Sequence, residues 1–147
     1  MLEDKGSYYL GFPRKTVFAY MSKPENAAEV APSLNNSRSV EKRENGGHVV
    51  EADYDLGGLI DGNIRLYPVV FQENNRIRYE MRDKFSGYVD WEFKEERDGT
   101  RFIYETQVDV DVPLPRFIVN RVSSMLAKQE LDAIIENLRS ELSEFEE

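Results

Sequence analysis

The chain has 147 residues, 40% of them hydrophobic and 32% charged, a balance that fits one globular domain over 1–147 and argues against a disordered chain. A net charge of −9 repels phosphate backbones, so no nucleic-acid partner is expected. With no cysteine, disulfides, thiol nucleophiles, thiolate zinc sites and iron–sulfur clusters are excluded, and the composition fits a reducing, cytoplasmic setting.

The opening Met1-Leu2-Glu3-Asp4-Lys5 lacks the basic-then-apolar pattern of a secretory signal. The longest apolar runs, such as Pro68-Val69-Val70-Phe71, fall far short of the ~20 residues that cross a bilayer. A first strand is expected over about Gly6–Phe12. Pro13 then opens a short helix with Val17, Phe18 and Met21 at helical spacing. Ser22-Lys23-Pro24-Glu25 reads as the capped start of a second short helix that stops before Pro32.

The middle of the chain alternates with a period of two. Val50, Ala52, Tyr54 and Leu56 interleave with Glu51, Asp53 and Asp55; Ile77, Tyr79 and Met81 with Arg76, Arg78 and Glu80; Gly87, Val89, Trp91 and Phe93 with Tyr88, Asp90 and Glu92. Phe102, Tyr104, Thr106, Val108 and Val110 continue the pattern. Gly46-Gly47, Gly57-Gly58, Asp61-Gly62, Asn74-Asn75 and Asp98-Gly99 punctuate the runs as turns or bulges, so successive strands pair antiparallel. The phase of the strand after Gly62 stays open: if Ile64 and Leu66 point inward, Asn63 and Arg65 point outward.

Pro113-Leu114-Pro115 ends the strands, and neither glycine nor proline follows. Leu131, Ile134, Ile135, Leu138, Leu142 and Phe145 form one helical face, and Leu114, Phe117, Ile118, Val122, Met125 and Leu126 a broader one. About thirty helical residues would span ~45 Å. The fold class is therefore α+β: a curved antiparallel sheet of about six to seven strands, two short helices after the first strand, and one long C-terminal helix across the sheet.

In the phase adopted for these strands the inward face carries no carboxylate. It presents Tyr54, Leu66, Tyr79, Met81, Val89, Trp91, Tyr104 and Thr106, opposite Phe117, Arg121 and Met125 of the helix. A straight helix cannot follow a twisted sheet everywhere, so these side chains either fill a core or line a cavity with a few hydroxyls. Arg121 would either hold an anionic head group or reach solvent.

Several stretches together resemble the START-like, or Bet v 1-like, superfamily of polyketide cyclase/dehydrase and lipid-transport proteins. Gly11-Phe12-Pro13-Arg14-Lys15-Thr16-Val17-Phe18-Ala19-Tyr20-Met21-Ser22-Lys23-Pro24-Glu25 is similar to its opening strand and proline-led helices. Asp98-Gly99-Thr100-Arg101-Phe102 is similar to its last hairpin, and Val112-Pro113-Leu114-Pro115 to the entry of its closing helix. The resemblance implies a helix-grip fold with a cavity between helix and sheet, but no single chemistry.

The leading expectation is a non-catalytic binder or carrier of a small hydrophobic or amphiphilic molecule (lipid, quinone, aromatic or polyketide-like), with no cofactor and no metal. One alternative is an aromatase/cyclase-type enzyme using Tyr54, Tyr79 or Tyr104 as proton donor. Another is an interaction protein acting through an unidentified protein partner, its pocket vestigial. Transient membrane contact is compatible with each. His48, the single histidine, reads as a turn residue, with no nucleophile-elbow motif to pair it with a serine. Asp53, Glu80, Asp90, Glu92 and Glu105 phase outward, which argues against a hydrolase.

Overall fold

The computed structural model describes residues 2–56, 58, 60–111 and 113–145, with the backbone alone described at 2, 56, 60, 122–129 and 131. The chain runs β1 (Leu2–Leu10), α1 (Arg14–Met21), a 3-10 turn (Pro24–Asn26) leading into α2 (Ala27–Val30), β2 (Leu34–Lys42), β3 (His48–Leu56), β4 (Ile60–Gln72), β5 (Arg76–Arg82), β6 (Phe85–Glu96), β7 (Gly99–Val110) and α3 (Arg116–Phe145). The seven strands form one curved sheet in the order β1-β7-β6-β5-β4-β3-β2, every pair antiparallel.

The turns follow from local chemistry. Asn74 takes φ 61° between β4 and β5, where the Asn75 amide donates to the Gln72 carbonyl at 2.9 Å. Arg97, with φ 56°, and Asp98 turn β6 into β7, so the bend takes in the Asp98 of the sequence's Asp98-Gly99 signal while Gly99 already opens β7. Gly58 takes φ 76°, while Gly57 and Val112 lie outside the described residues. Ser22 corrects one expectation. It closes α1, its Oγ donating to the Ala19 carbonyl at 3.2 Å, and the following turn has no side-chain cap, so no capping box forms.

The two faces of the sheet differ in chemistry. On the convex side Arg76 Nε donates to Asp90 Oδ1 at 3.0 Å, and Arg78 Nη1 reaches Asp90 Oδ2 at 3.4 Å. Two guanidinium groups compensate the desolvated Asp90 carboxylate. Tyr88 bonds Glu105, Asn63 Nδ2 donates to Asp53 at 3.1 Å, and Glu51 lies between Arg38 and Arg65. Hydrogen bonding from Arg65 holds the Glu51 carboxyl below its usual range. The phase after Gly62 is thereby settled: Ile64 and Leu66 pair with Ala52 and Val50 on the concave side, and Asn63 and Arg65 face outward.

β4 belongs to two ladders. Its first half, Ile60–Leu66, pairs with β3, and its second half, from Tyr67, pairs with β5, with a register shift between Pro68 and Val70. Proline has no amide to give a ladder, which suits it to such an irregularity. A rim cavity of about 210 Å³ is lined by Tyr54, Gly62, Ile64 and Phe85 among others.

α3 is fastened at both ends. Ile135, Leu138 and Leu142 are buried in the main core with Leu10, Val17, Phe18, Tyr20 and Met21. Asn137 Nδ2 donates to the Val30 carbonyl at 3.1 Å, and Arg139 Nη2 to the Tyr9 carbonyl at 3.1 Å. At the N-terminal end Val119 enters a second cluster with Tyr54, Met81, Phe85, Val108 and Val110, and Arg116 Nη1 donates to the Val110 carbonyl at 2.7 Å.

Candidate functional site

The register lays concave-face residues in rows across the sheet. One row runs Tyr79–Val89–Thr106–Asp4 from β5 to β1; the next runs Ile77–Trp91–Tyr104–Gly6. A third holds Met81–Gly87–Val108, and beyond Trp91 lie Phe93–Phe102–Tyr8. The aromatic rings touch in sequence: Tyr79 edge-on to Trp91 at 5.6 Å, Phe102 to Tyr104 at 6.3 Å, and Tyr104 stacked on Tyr8 at 5.9 Å.

Burial along these rows is uneven. Ile77, Tyr79, Met81, Phe93, Phe102 and Val108 are buried, whereas Leu66, Val89, Trp91 and Thr106 are only half-buried. β6 and β7 are interior strands, so accessibility at Val89, Trp91 and Thr106 is not an edge effect. Leu66 touches both hydrophobic clusters, the one gripped by the C-terminal half of α3 and the one capped by Val119. The half-buried patch therefore lies between the two anchorages of the helix.

Tyr54, Leu66, Tyr79, Met81, Val89, Trp91, Tyr104 and Thr106 thus come together on one face, as the alternation requires. Phe117 and Arg121 do not join them. Phe117 is 73% exposed and Arg121 is exposed, while Val119 turns inward. Phe117 and Arg121 are one helical turn apart and share a face, and Val119, two residues from each, lies roughly 200° round. The side chains of Met125, Val122, Leu126 and Leu131 lie outside the described residues.

The concave face also carries a carboxylate that the strand phasing omits. β1 begins at Leu2 rather than Gly6, and its unbroken register sets Asp4 opposite Thr106. Gly6 leaves room for Tyr104: a Cβ there would stand 2.9 Å from the Tyr104 hydroxyl. Burial raises the Tyr104 phenol's pKa, and the Asp4 charge and Tyr8 add to the effect. Burial alone pushes Tyr79 up to about 12, and burial with the nearby Asp61 charge raises Tyr54. At neutral pH all three are protonated phenols. His48 stands at the start of β3 rather than in a turn, its Nδ1 2.8 Å from the exposed Ser39 Oγ, on the β2–β3 ladder away from these rows. Among the described residues no group of three or more His, Asp or Glu side chains is placed to hold a metal ion.

This architecture has a sequence counterpart. The profile of the "polyketide cyclase / dehydrase and lipid transport" proteins matches residues 12–143. The chain belongs to that family. Solved structures agree on the fold. A START superfamily protein from Mycobacterium smegmatis is 16% identical with a TM-score of 0.77, and the match covers 97% of each chain. A Thermus thermophilus protein is also 16% identical at a TM-score of 0.77, over 96% of this chain and 97% of its own. The Zhui aromatase/cyclase from a Streptomyces species is 12% identical at 0.77, over 97% and 93%. No curated protein matches the sequence. Membership of the polyketide cyclase / dehydrase and lipid transport family places the chain among helix-grip proteins, and no helix among its described residues is long and apolar enough to cross a membrane.

Proposed function

We propose that the protein binds or carries a small hydrophobic or amphiphilic molecule between the concave face of the sheet and α3. One observation carries the reading. The interior-strand residues Val89, Trp91 and Thr106 stay half-buried, while Met81 and Val108 on one side and Phe93 and Phe102 on the other are buried. Apolar walls with a few convergent polar groups are what such a ligand needs. The family's association with lipid transport supports the same class of ligand.

Native mass spectrometry of the freshly purified protein and an NMR shift screen with a lipid, a quinone and an aromatic compound test it. Binding is expected to move the signals of Val89, Trp91 and Thr106. If nothing co-purifies and no compound shifts these signals, the reading fails.

A second reading is an aromatase/cyclase-type reaction with a phenol as proton donor. The position of Tyr79 and Tyr104 favours it, since both phenols belong to the concave rows beside the half-buried patch. Turnover of a verified polyketide substrate that survives phenylalanine at Tyr54, Tyr79 and Tyr104 together rules it out.

A further inference from the structure

The corner where β1 meets β7 differs from the rest of the concave face. Asp4, Thr106, Tyr104 and Tyr8 bring a carboxylate and three hydroxyls together on adjoining rows. β1 alternates without a bulge from Leu2 to Leu10, so Asp4 shares the face of Gly6, Tyr8 and Leu10. Because Gly6 has no side chain, the Tyr104 phenol lies over the β1 backbone with its ring stacked on Tyr8. There the Asp4 charge and Tyr8 lie near enough to add to the burial that raises its pKa. Asp4, Tyr8 and Thr106 are half-buried, and the register sets Asp4 beside Thr106 and Thr106 beside Val89 of the patch.

On the concave side of β5, β6, β7 and β1 the register places no lysine or arginine. Arg121, the residue expected to hold an anionic head group, is exposed on α3. Among the described residues this corner has a carboxylate with hydroxyl neighbours and no cation, a set that accepts hydrogen bonds and repels negative charge.

Resting on the binding role argued above, we propose that Asp4 and Tyr104 make this corner a polar-end subsite, which selects ligands ending in an uncharged hydroxyl and rejects carboxylates of the same skeleton. The hydroxyl of an alcohol or phenol donates to Asp4 and accepts from Thr106 or Tyr104. A carboxylate in its place would meet the Asp4 charge, with no lysine or arginine on the concave rows of β5, β6, β7 and β1 to neutralise it.

NMR titration of the full chain at neutral pH with naphthol and with naphthoate, substituted at the same ring carbon, tests this. The wild-type protein is expected to bind naphthol at least about tenfold more tightly, the lower end of what a like charge at contact range does to an ionised group. Asp4→Asn keeps the side chain's size and removes its charge. It should raise naphthoate affinity by about tenfold and change naphthol affinity far less. Tyr104→Phe should weaken naphthol severalfold. Equal wild-type affinity for the two probes, or no gain of naphthoate binding in Asp4→Asn, overturns the selectivity and leaves the pocket standing. If neither probe shifts Val89, Trp91 or Thr106 in any of these proteins, the pocket itself is refuted and the subsite with it.

Discussion

Tyr79 shows how a single residue on the concave face links burial to a measurable property. Its ring is 4% exposed, and burial pushes its phenol from 10.0 up to about 12. The folded state therefore holds the proton more tightly than the unfolded chain does. The stabilisation is fully present below pH 10 and is lost as pH rises through about 12. The contribution is on the order of 2–3 kcal/mol. Alkaline unfolding followed by circular dichroism should begin in that window, and Tyr79→Phe should remove part of the loss. Asp4 marks where single residues escape a sequence reading. Leu2-Glu3-Asp4-Lys5 has no two-residue period, and Gly6 looks like the start of a strand because nothing before it is β-forming. Pairing with β7 makes those residues a strand, and tertiary pairing leaves no local signal. Tyr54, Tyr79, Trp91 and Tyr104 were legible for the opposite reason: each sits in a run whose alternation is clean, so one phase determines every side chain in it.

Among the elements, α3 carries two roles with different sensitivities. Leu138 is fully buried among residues of the main core. Leu138→Ala should cost roughly 2–5 kcal/mol, the usual range for truncating a large core aliphatic, and urea unfolding would measure it. Phe117→Ala removes a ring that is already 73% exposed, and should change stability by no more than about 0.5 kcal/mol. The C-terminal stripe was legible because Ile134, Ile135, Leu138 and Leu142 repeat at three and four. The N-terminal half was not, because apolar residues occur all round it. Periodicity alone could not rank Val119 above Phe117; contact with Val108 and Val110 does. β2 was illegible for another reason. Leu34-Asn35-Asn36-Ser37-Arg38-Ser39 is polar and poor in β-formers, Asn36 takes φ 53°, and the pairing with β3 slips twice. Such irregularity suits an edge strand, where it discourages pairing with other chains.

At the scale of the whole molecule, the proposed ligand site lies in the interior between the concave face of the sheet and α3. A ligand that occupies this interior in the folded state alone must stabilise it. At a free concentration a hundred times Kd the gain is about 2.7 kcal/mol. For a chain of this length that corresponds to a rise in Tm of roughly 5–10 °C. Differential scanning fluorimetry with a bound lipid or aromatic compound measures it; a confirmed binder that leaves Tm unchanged would be one that binds the unfolded chain equally well, against a site built by the fold. The order of the strands has a further consequence, for synthesis. β1 pairs with β7 along their whole length, from Leu2 opposite Val108 to Leu10 opposite Thr100, and Arg139 of α3 then bonds the Tyr9 carbonyl. The first strand to leave the ribosome waits for the last strand and the closing helix. Such distant pairings carry a high loop-closure cost and slow folding. A nascent chain halted before β7 should thus expose β1 to proteases, and protection should arrive only as the chain's far end emerges.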